Sequence, residues 1–218
     1  FVQDSLIGSY MFTRYNQLLT ENQVIDILVS TKWYNGDFPK PTFKAGTAKK
    51  DLPEWFPYLK YKKYFSSGNT LLRDLWTGRQ LISIVLPNIN LESQNGQYKD
   101  CLESEKFMNR IKIYQGNVES GVFDKKILGG TAGGLINVIC NEFGNDQAKV
   151  LLDGLQNMIT KYVLTAGYSV GVGDLVADKT TVMNIKKNII EKKKEVINVI
   201  ESVHNGTLEN KSGKSLSV

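Results

Sequence analysis

Apolar residues recur along this chain in two periods, and each predicts a different element. Val24, Ile27 and Leu28 share one helical stripe. Thr20-Glu21-Asn22-Gln23 ahead of them reads as a capping box, so a helix is predicted over about 21–29. A second stripe, Leu135, Ile136, Ile139 and Phe143, stops at Gly144-Asn145-Asp146, a sequence that ends one helix and caps the next. Ala148, Leu151, Leu152, Leu155, Met158, Ile159, Tyr162 and Val163 then trace a broad apolar face. They predict a long central helix that terminates at Thr165-Ala166-Gly167. Further on, Val182, Ile185, Ile189, Val196, Ile200 and Val203 step by three, four and seven, a narrow seam suited to a partner helix. Arg110-Ile111-Lys112-Ile113 follows the other period, two, and Gln115-Gly116-Asn117 signals a turn. With 118–123 returning, a β-hairpin is predicted near 110–123.

Weaker patterns fill the intervals. Residues 3–12 read as a short helix interrupted by Gly8. Thr77 and Gln80 form the cap of another, with Leu81, Ile82, Ile84 and Val85 inside it and Pro87 ending it. From 31 to 70 periodicity fails, because Pro39, Pro41, Pro53 and Pro57 break it. Trp55, Phe56, Tyr58, Tyr61, Tyr64 and Phe65 crowd that stretch, with Lys60, Lys62 and Lys63 between them. Such a mixture serves either to stack bases and hold phosphates or to fill local gaps in a surface insertion. The second is preferred here, since no rhythm gathers the rings on one face. Residues 88–108 read as polar loop or weakly marked strands, and 205–218, rich in Gly, Ser, Asn and Lys, as a flexible tail. The fold class expected is α+β, helix-rich, with the hairpin and a long C-terminal amphipathic helix.

Composition narrows the chemistry. The 218 residues carry 27 basic and 22 acidic side chains, a formal net charge of +5. Six lysines fall between Lys179 and Lys194, so much of the excess is local, either a solvated helix face or a bias toward phosphates. No apolar run reaches the roughly 18 residues a membrane span needs. No basic stretch followed by an apolar one opens the chain, and a start at Phe1 leads us to expect a piece of a longer polypeptide. Cys101, Cys140 and His204 lie too far apart in sequence to suggest a zinc site, and reduced thiols of an intracellular protein are expected. His204 is expected to be solvated.

The candidate chemistry is basic. Lys125 and Lys126 follow the second hairpin strand and precede the glycines of 129–134. Neither a P-loop nor a dinucleotide fingerprint is present in that stretch. Arg79 is expected in a first helical turn, where the dipole disfavours a cation. It is therefore either held by an anion or simply exposed. Asp174 and Asp178 invite a metal-pair reading, but capping and turn hydrogen bonds account for them better.

Four pieces carry a resemblance. FVQDSLIGSYMFT at 1–13, LWTGRQLISIVLPNIN at 75–90, GNVESGVFDKKILGGTAGGLINVICNEFG at 116–144 and GYSVGVGDLVAD at 167–178 occur in family order. Together they resemble the pore region of the largest subunit of multisubunit DNA-directed RNA polymerases, with the start of the funnel helices. The likeness fails near 43–70, 91–108 and in the tail. It departs conservatively from the usual pattern at Gly130-Thr131-Ala132 and at Tyr168, and the Asn and Lys richness with the divergent loops suggests a viral or divergent eukaryotic-type enzyme. The domains it implies are a pore domain at 1–178 with a divergent aromatic insert near 43–70, the start of the funnel helices at 179–204, and the tail. It also implies a role in lining the channel by which nucleoside triphosphates enter. Lys125 and Lys126 would lie beside that route unless they pair with Asp124 or Glu142. No residue here is expected to be catalytic or to bind metal, because the family's Mg2+-binding aspartate motif NADFDGD has no match. Mg2+, DNA template, RNA and the other subunits would belong to the complete polymerase, and a transcript-cleavage factor is a further expected partner. The location implied is the nucleus, or virion and host cytoplasm for a viral enzyme. The alternatives from other classes are an independent single-strand binding module at 55–65 and a helical interaction module at 181–203.

Overall fold

In the computed structural model, which describes residues 3–32, 34–96, 108–130 and 132–207, the broad apolar face does become the central helix. This is α6, Leu135–Ala166, broken at Gly144, whose φ of 83° separates two helical stretches at the place the sequence marked. Its buried side, including Leu151, Leu155, Met158, Ile159 and Tyr162, receives α1 (Asp4–Thr13) and α2 (Glu21–Val29). The capping box of α2 forms as expected, the Thr20 backbone N–H donating to Gln23 Oε1 at 3.0 Å. Gly8 is no defect in α1. A methyl group there would stand 2.5 Å from Ile159 Cγ2 and 2.7 Å from Val163 Cγ2, so the missing side chain lets the helices approach. The chain forms two units, residues 1–167 and 168–218.

Short strands close the core of the first unit. β1 (Leu18–Leu19) pairs antiparallel with β2 (Trp76–Thr77). β2 feeds directly into α4 (Gly78–Ser83), capped by Thr77 Oγ1, which accepts from the Gln80 backbone N–H. Between these segments lies the aromatic insert, with one helical turn, α3 (Tyr58–Tyr61), and two 3-10 turns.

Its rings fill local gaps, as preferred from the sequence. Phe43, Phe56, Tyr61, Leu71 and Leu75 form a satellite core around Leu18, with Trp55, Tyr58, Tyr64 and Phe65 packed against it. Phe43 meets Phe56 edge-on at 5.1 Å. The basic side chains lie over the same rings, Lys49 Nζ 3.8 Å from the Tyr58 centroid and Lys63 Nζ 5.0 Å from that of Tyr64. Tyr61 bolts the insert to β1: its hydroxyl accepts from Leu18 N at 2.7 Å and donates to Leu18 O at 3.0 Å. Burial raises its phenol pKa, and the Leu18 hydrogen bond opposes that shift. Tyr61→Phe takes the hydroxyl away from the Leu18 N–H and leaves Leu18 O only the Gln17 side-chain amide at 3.3 Å, and it is expected to cost about 2 kcal/mol. Urea unfolding with an unchanged m-value would measure it, and a loss under about 0.5 kcal/mol would show that the hydroxyl is dispensable.

The predicted hairpin is one edge of a three-stranded sheet, β3 (Leu91–Gln94), β4 (Arg110–Tyr114) and β5 (Asn117–Ser120), in that order. β4 alternates exposed and buried, with Ile111 and Ile113 inward. Gln115 and Gly116 both take positive φ, 47° and 77°, the conformation of a two-residue primed turn. β3 comes from the stretch read as loop or weak strand. Its four residues Leu-Glu-Ser-Gln carry too little pattern to declare themselves. β5 is shorter than expected, because Gly121 at φ 86° turns the chain out of the sheet after Ser120.

The second unit holds a short turn of helix, α7 (Val172–Leu175), and α8 (Lys179–His204). Asp174 Oδ2 accepts from the Gly171 N–H at 2.8 Å, and Asp178 Oδ1 from the Thr181 N–H at 3.1 Å. Both acids thus cap helix starts. Hydrogen bonding to Thr181 holds the Asp178 carboxyl below the usual carboxylate range. Along α8 the seam residues Ile185, Ile189, Val196 and Ile200 stay exposed. Cys101 and the tail beyond Thr207 lie outside the described residues.

Candidate functional site

Lys125 and Lys126 do not stand at a strand exit. Gly121 ends the sheet, the chain runs extended through Val122, Phe123 and Asp124, and the two lysines then open a four-residue helix, α5 (Lys125–Leu128). Asp124 is its N-cap: Oδ1 accepts from the backbone N–H groups of Lys126 and Ile127, each at 3.1 Å. Ile127 and Leu128 point into the core, and the lysine side chains are exposed. The division follows from the helix period, since residues two places apart lie on roughly opposite sides of the axis, Lys125 from Ile127 and Lys126 from Leu128.

The extended stretch before the lysines is secured by side chains rather than by a strand ladder. Thr13 Oγ1, at the end of α1, accepts from Phe123 N at 2.9 Å. Asn95, just past β3, donates Nδ2 to Val122 O at 2.6 Å. The next residue, Gly96, donates its N–H to Asp124 Oδ2 at 2.7 Å. Asp124 is only 2% exposed, so its carboxylate is committed to three backbone donors beneath the lysine pair. Its placement in front of Lys-Lys-Ile-Leu is legible as an N-cap. The roles of Asn95 and Thr13 are not, because they act across 27 and 110 residues of sequence.

Arg79 stands on a different element. It occupies the first turn of α4 and is 7% exposed, which removes the reading of a merely solvated arginine. Its guanidinium carbon lies 6.0 Å from the centre of the Trp55 ring, and its Nη1 is buried without a hydrogen bond among the described residues. Burial lowers its pKa from the ordinary arginine value. Indole stabilises the cation from one side, which partly offsets the cost of burial. Lys60, read in sequence as a possible phosphate contact, donates to Asn16 O and Gln17 Oε1 at 3.1 and 2.8 Å. Burial, and then the nearby Arg14, lower its pKa. That lysine ties the insert to the loop after α1.

Among the described residues, no three His, Cys, Asp or Glu side chains gather as a metal site. The two acids that invited a metal-pair reading, Asp174 and Asp178, are occupied as caps. Among the described residues, then, the donor set does not suit a resident divalent cation. No helix among the described residues is long and apolar enough to cross a membrane.

A helix-rich α+β body with a basic pair on a capped turn is a scaffold presenting charge, and comparison with known proteins gives it a lineage. The family described as RNA polymerase Rpb1, domain 3, matches residues 1–175, and this chain belongs to that family. Two curated relatives, DNA-directed RNA polymerase II subunits RPB1-B and RPB1-A of Trypanosoma brucei brucei, are each 32% identical to it over 144 residues. The match takes in 66% of this chain and 8% of each relative, so the chain spans a small part of their length. The resemblance noted in the sequence, to the largest subunit of a DNA-directed RNA polymerase, is thereby borne out.

Proposed function

We propose that this chain is the part of an RNA polymerase largest subunit that lines the pore, where nucleoside triphosphates pass inward during DNA-templated RNA synthesis. The observation carrying the reading is the exposed Lys125–Lys126 pair, raised on α5 in a domain of this family. Two ammonium groups side by side draw in a triphosphate without clamping it, because each is a flexible point charge. Phosphoryl transfer itself needs charge neutralisation at the reacting phosphate. The Mg2+ that supplies it would be held elsewhere in the complete enzyme, along with template DNA, RNA and the other subunits. A transcript-cleavage factor would use the same channel. The named relatives are RNA polymerase II subunits of a eukaryote, which favours a nuclear location. The exposed seam of α8 fits the opening of a helical funnel, where a second helix would cover Ile185, Ile189, Val196 and Ile200.

The test is steady-state nucleotide incorporation by the whole polymerase carrying Lys125→Ala with Lys126→Ala. The apparent KM for nucleoside triphosphate should rise about three- to tenfold while kcat changes less than about twofold. Raising the ionic strength should shrink the difference between variant and parent, because salt screens exposed charge. An unchanged KM at low salt, with normal assembly, would remove the electrostatic role.

A further inference from the structure

We infer that Asn95 and Asp124 are positioning residues for the lysine pair, forming a clamp that fixes where Lys125 and Lys126 project. The inference rests on the channel reading above. No strand ladder continues through 122–124: β5 stops at Ser120 and α5 starts at Lys125. Three consecutive residues are instead held at one polar atom each. Val122 O takes the Asn95 amide, Phe123 N donates to Thr13 Oγ1, and the Asp124 carboxylate takes Gly96 N. Asn95 is fully buried, and among the described residues its Oδ1 has no hydrogen-bond partner. An orphaned buried acceptor costs stability. The one hydrogen bond its side chain makes among the described residues is the one from Nδ2 that holds Val122. The same segment lies beside the lysine: a Cβ built on Gly96 would stand 3.6 Å from Lys126 Cβ and 3.9 Å from its Cδ, so Gly96 flanks the lysine stem. Asp124 joins the two sides, one oxygen on Gly96 and the other on the first N–H groups of α5. Thr13 belongs to the core of α1 and is the structural member of the three.

Asp124→Asn isolates the clamp from the cap. Asparagine serves as well as aspartate at an N-cap, so α5 keeps its acceptor. Its amide nitrogen then faces the Gly96 N–H, donor against donor, and the link to β3 is lost. In the assembled polymerase, D124N should raise the apparent KM for nucleoside triphosphate about threefold with kcat nearly unchanged. In the K125A/K126A background the same change should add nothing, since there is no ammonium left to place. Asn95→Ala, which releases Val122 and leaves the cap intact, should behave alike.

A D124N effect that persists in the lysine-less background, or that appears in kcat alone, would reduce the clamp to a fold element and overturn the inference. Failure of both single variants to assemble would do the same. Impaired K125A/K126A beside normal D124N and N95A would overturn the clamp alone. A normal K125A/K126A would overturn the channel reading and the clamp together.

Discussion

Gly78→Ala should be among the most damaging single-methyl changes in this chain, lowering stability by about 3 kcal/mol. Gly78 is fully within the core at the start of α4, immediately after Thr77 has capped it. A methyl group built there overlaps the Phe12 carbonyl oxygen, with the carbonyl carbon and ring Cγ of Phe12 each 2.9 Å away. The obstacle is backbone in the last turn of α1, which cannot rotate aside as a side chain can. Its φ lies outside the left-handed region, so alanine meets no dihedral penalty there, and the expected loss is purely steric. To accept the methyl, α4 must retreat from α1, and Leu81 and Ile82 leave the core with it. Thermal unfolding of the purified chain should show a Tm lower by roughly 6–12 °C. Gly130→Ala is the matched control, since a Cβ there meets nothing within 4 Å and should leave Tm almost unmoved. If the two variants melt together, α1 and α4 do not touch as described.

The same pair of residues shows where sequence legibility ends. Gly78 sits in a motif whose cap, Thr77 with Gln80, was readable because both partners are local. That the glycine was there for Phe12 was not readable, because Phe12 lies 66 residues earlier on another helix. Gly8 misled for the same reason. Local propensity scores a helical glycine as a weakness, and only the tertiary neighbour, Ile159, turns it into a fit. Period-two and period-3.6 patterns located α2, α6, α8, β4 and the turn at Gln115-Gly116, since each pattern is written within the element itself. β3 escaped because its residues alternate only half-buried against exposed.

The candidate site divides along the same line. Lys125 and Lys126 were conspicuous as charges beside a glycine-rich turn, and the resemblance gave them a setting. Their support was hidden, because Asn95 and Thr13 are unremarkable residues whose meaning is a contact made at long range. Arg79 was suspected from its conflict with a helix N-terminus. The conflict is real, and the answer to it within the described residues is the Trp55 ring, supplied by an insert that carried no rhythm of its own. Of the aromatic residues that looked available for bases, Phe56 and Tyr61 are buried in that insert, and Trp55, Tyr58, Tyr64 and Phe65 pack partly buried against it.

Phe12→Ala tests the core that all of this stands on, and it should cost about 3–5 kcal/mol. Phe12 is fully buried, and its ring centroid lies 5.0 Å from that of Tyr162 at an interplanar angle of 52°. The ring therefore does two things: it fills the space between α1 and α6, and it keeps water from the Tyr162 phenol. Burial, more than the neighbouring Tyr61, pushes the Tyr162 pKa up to about 12, while Arg14 pulls the other way. The sign of the linkage follows. An unfolded tyrosine ionises near pH 10, so the stability tied to a neutral Tyr162 is complete below about pH 10. It is lost as pH climbs through about 12, because there the unfolded chain releases a proton that the folded one retains. Removing Phe12 opens a void beside the Tyr162 ring, and water entering it should let the phenol pKa fall back toward its ordinary value. Ultraviolet difference titration, with a Tyr162→Phe variant subtracted, would follow that one phenol. Loss of stability with the phenol still titrating near 12 would mean that the core closes over the missing ring. Both shifts together would show that α1 is what keeps the face of α6 dry, and hence what holds Thr13 where Phe123 needs it.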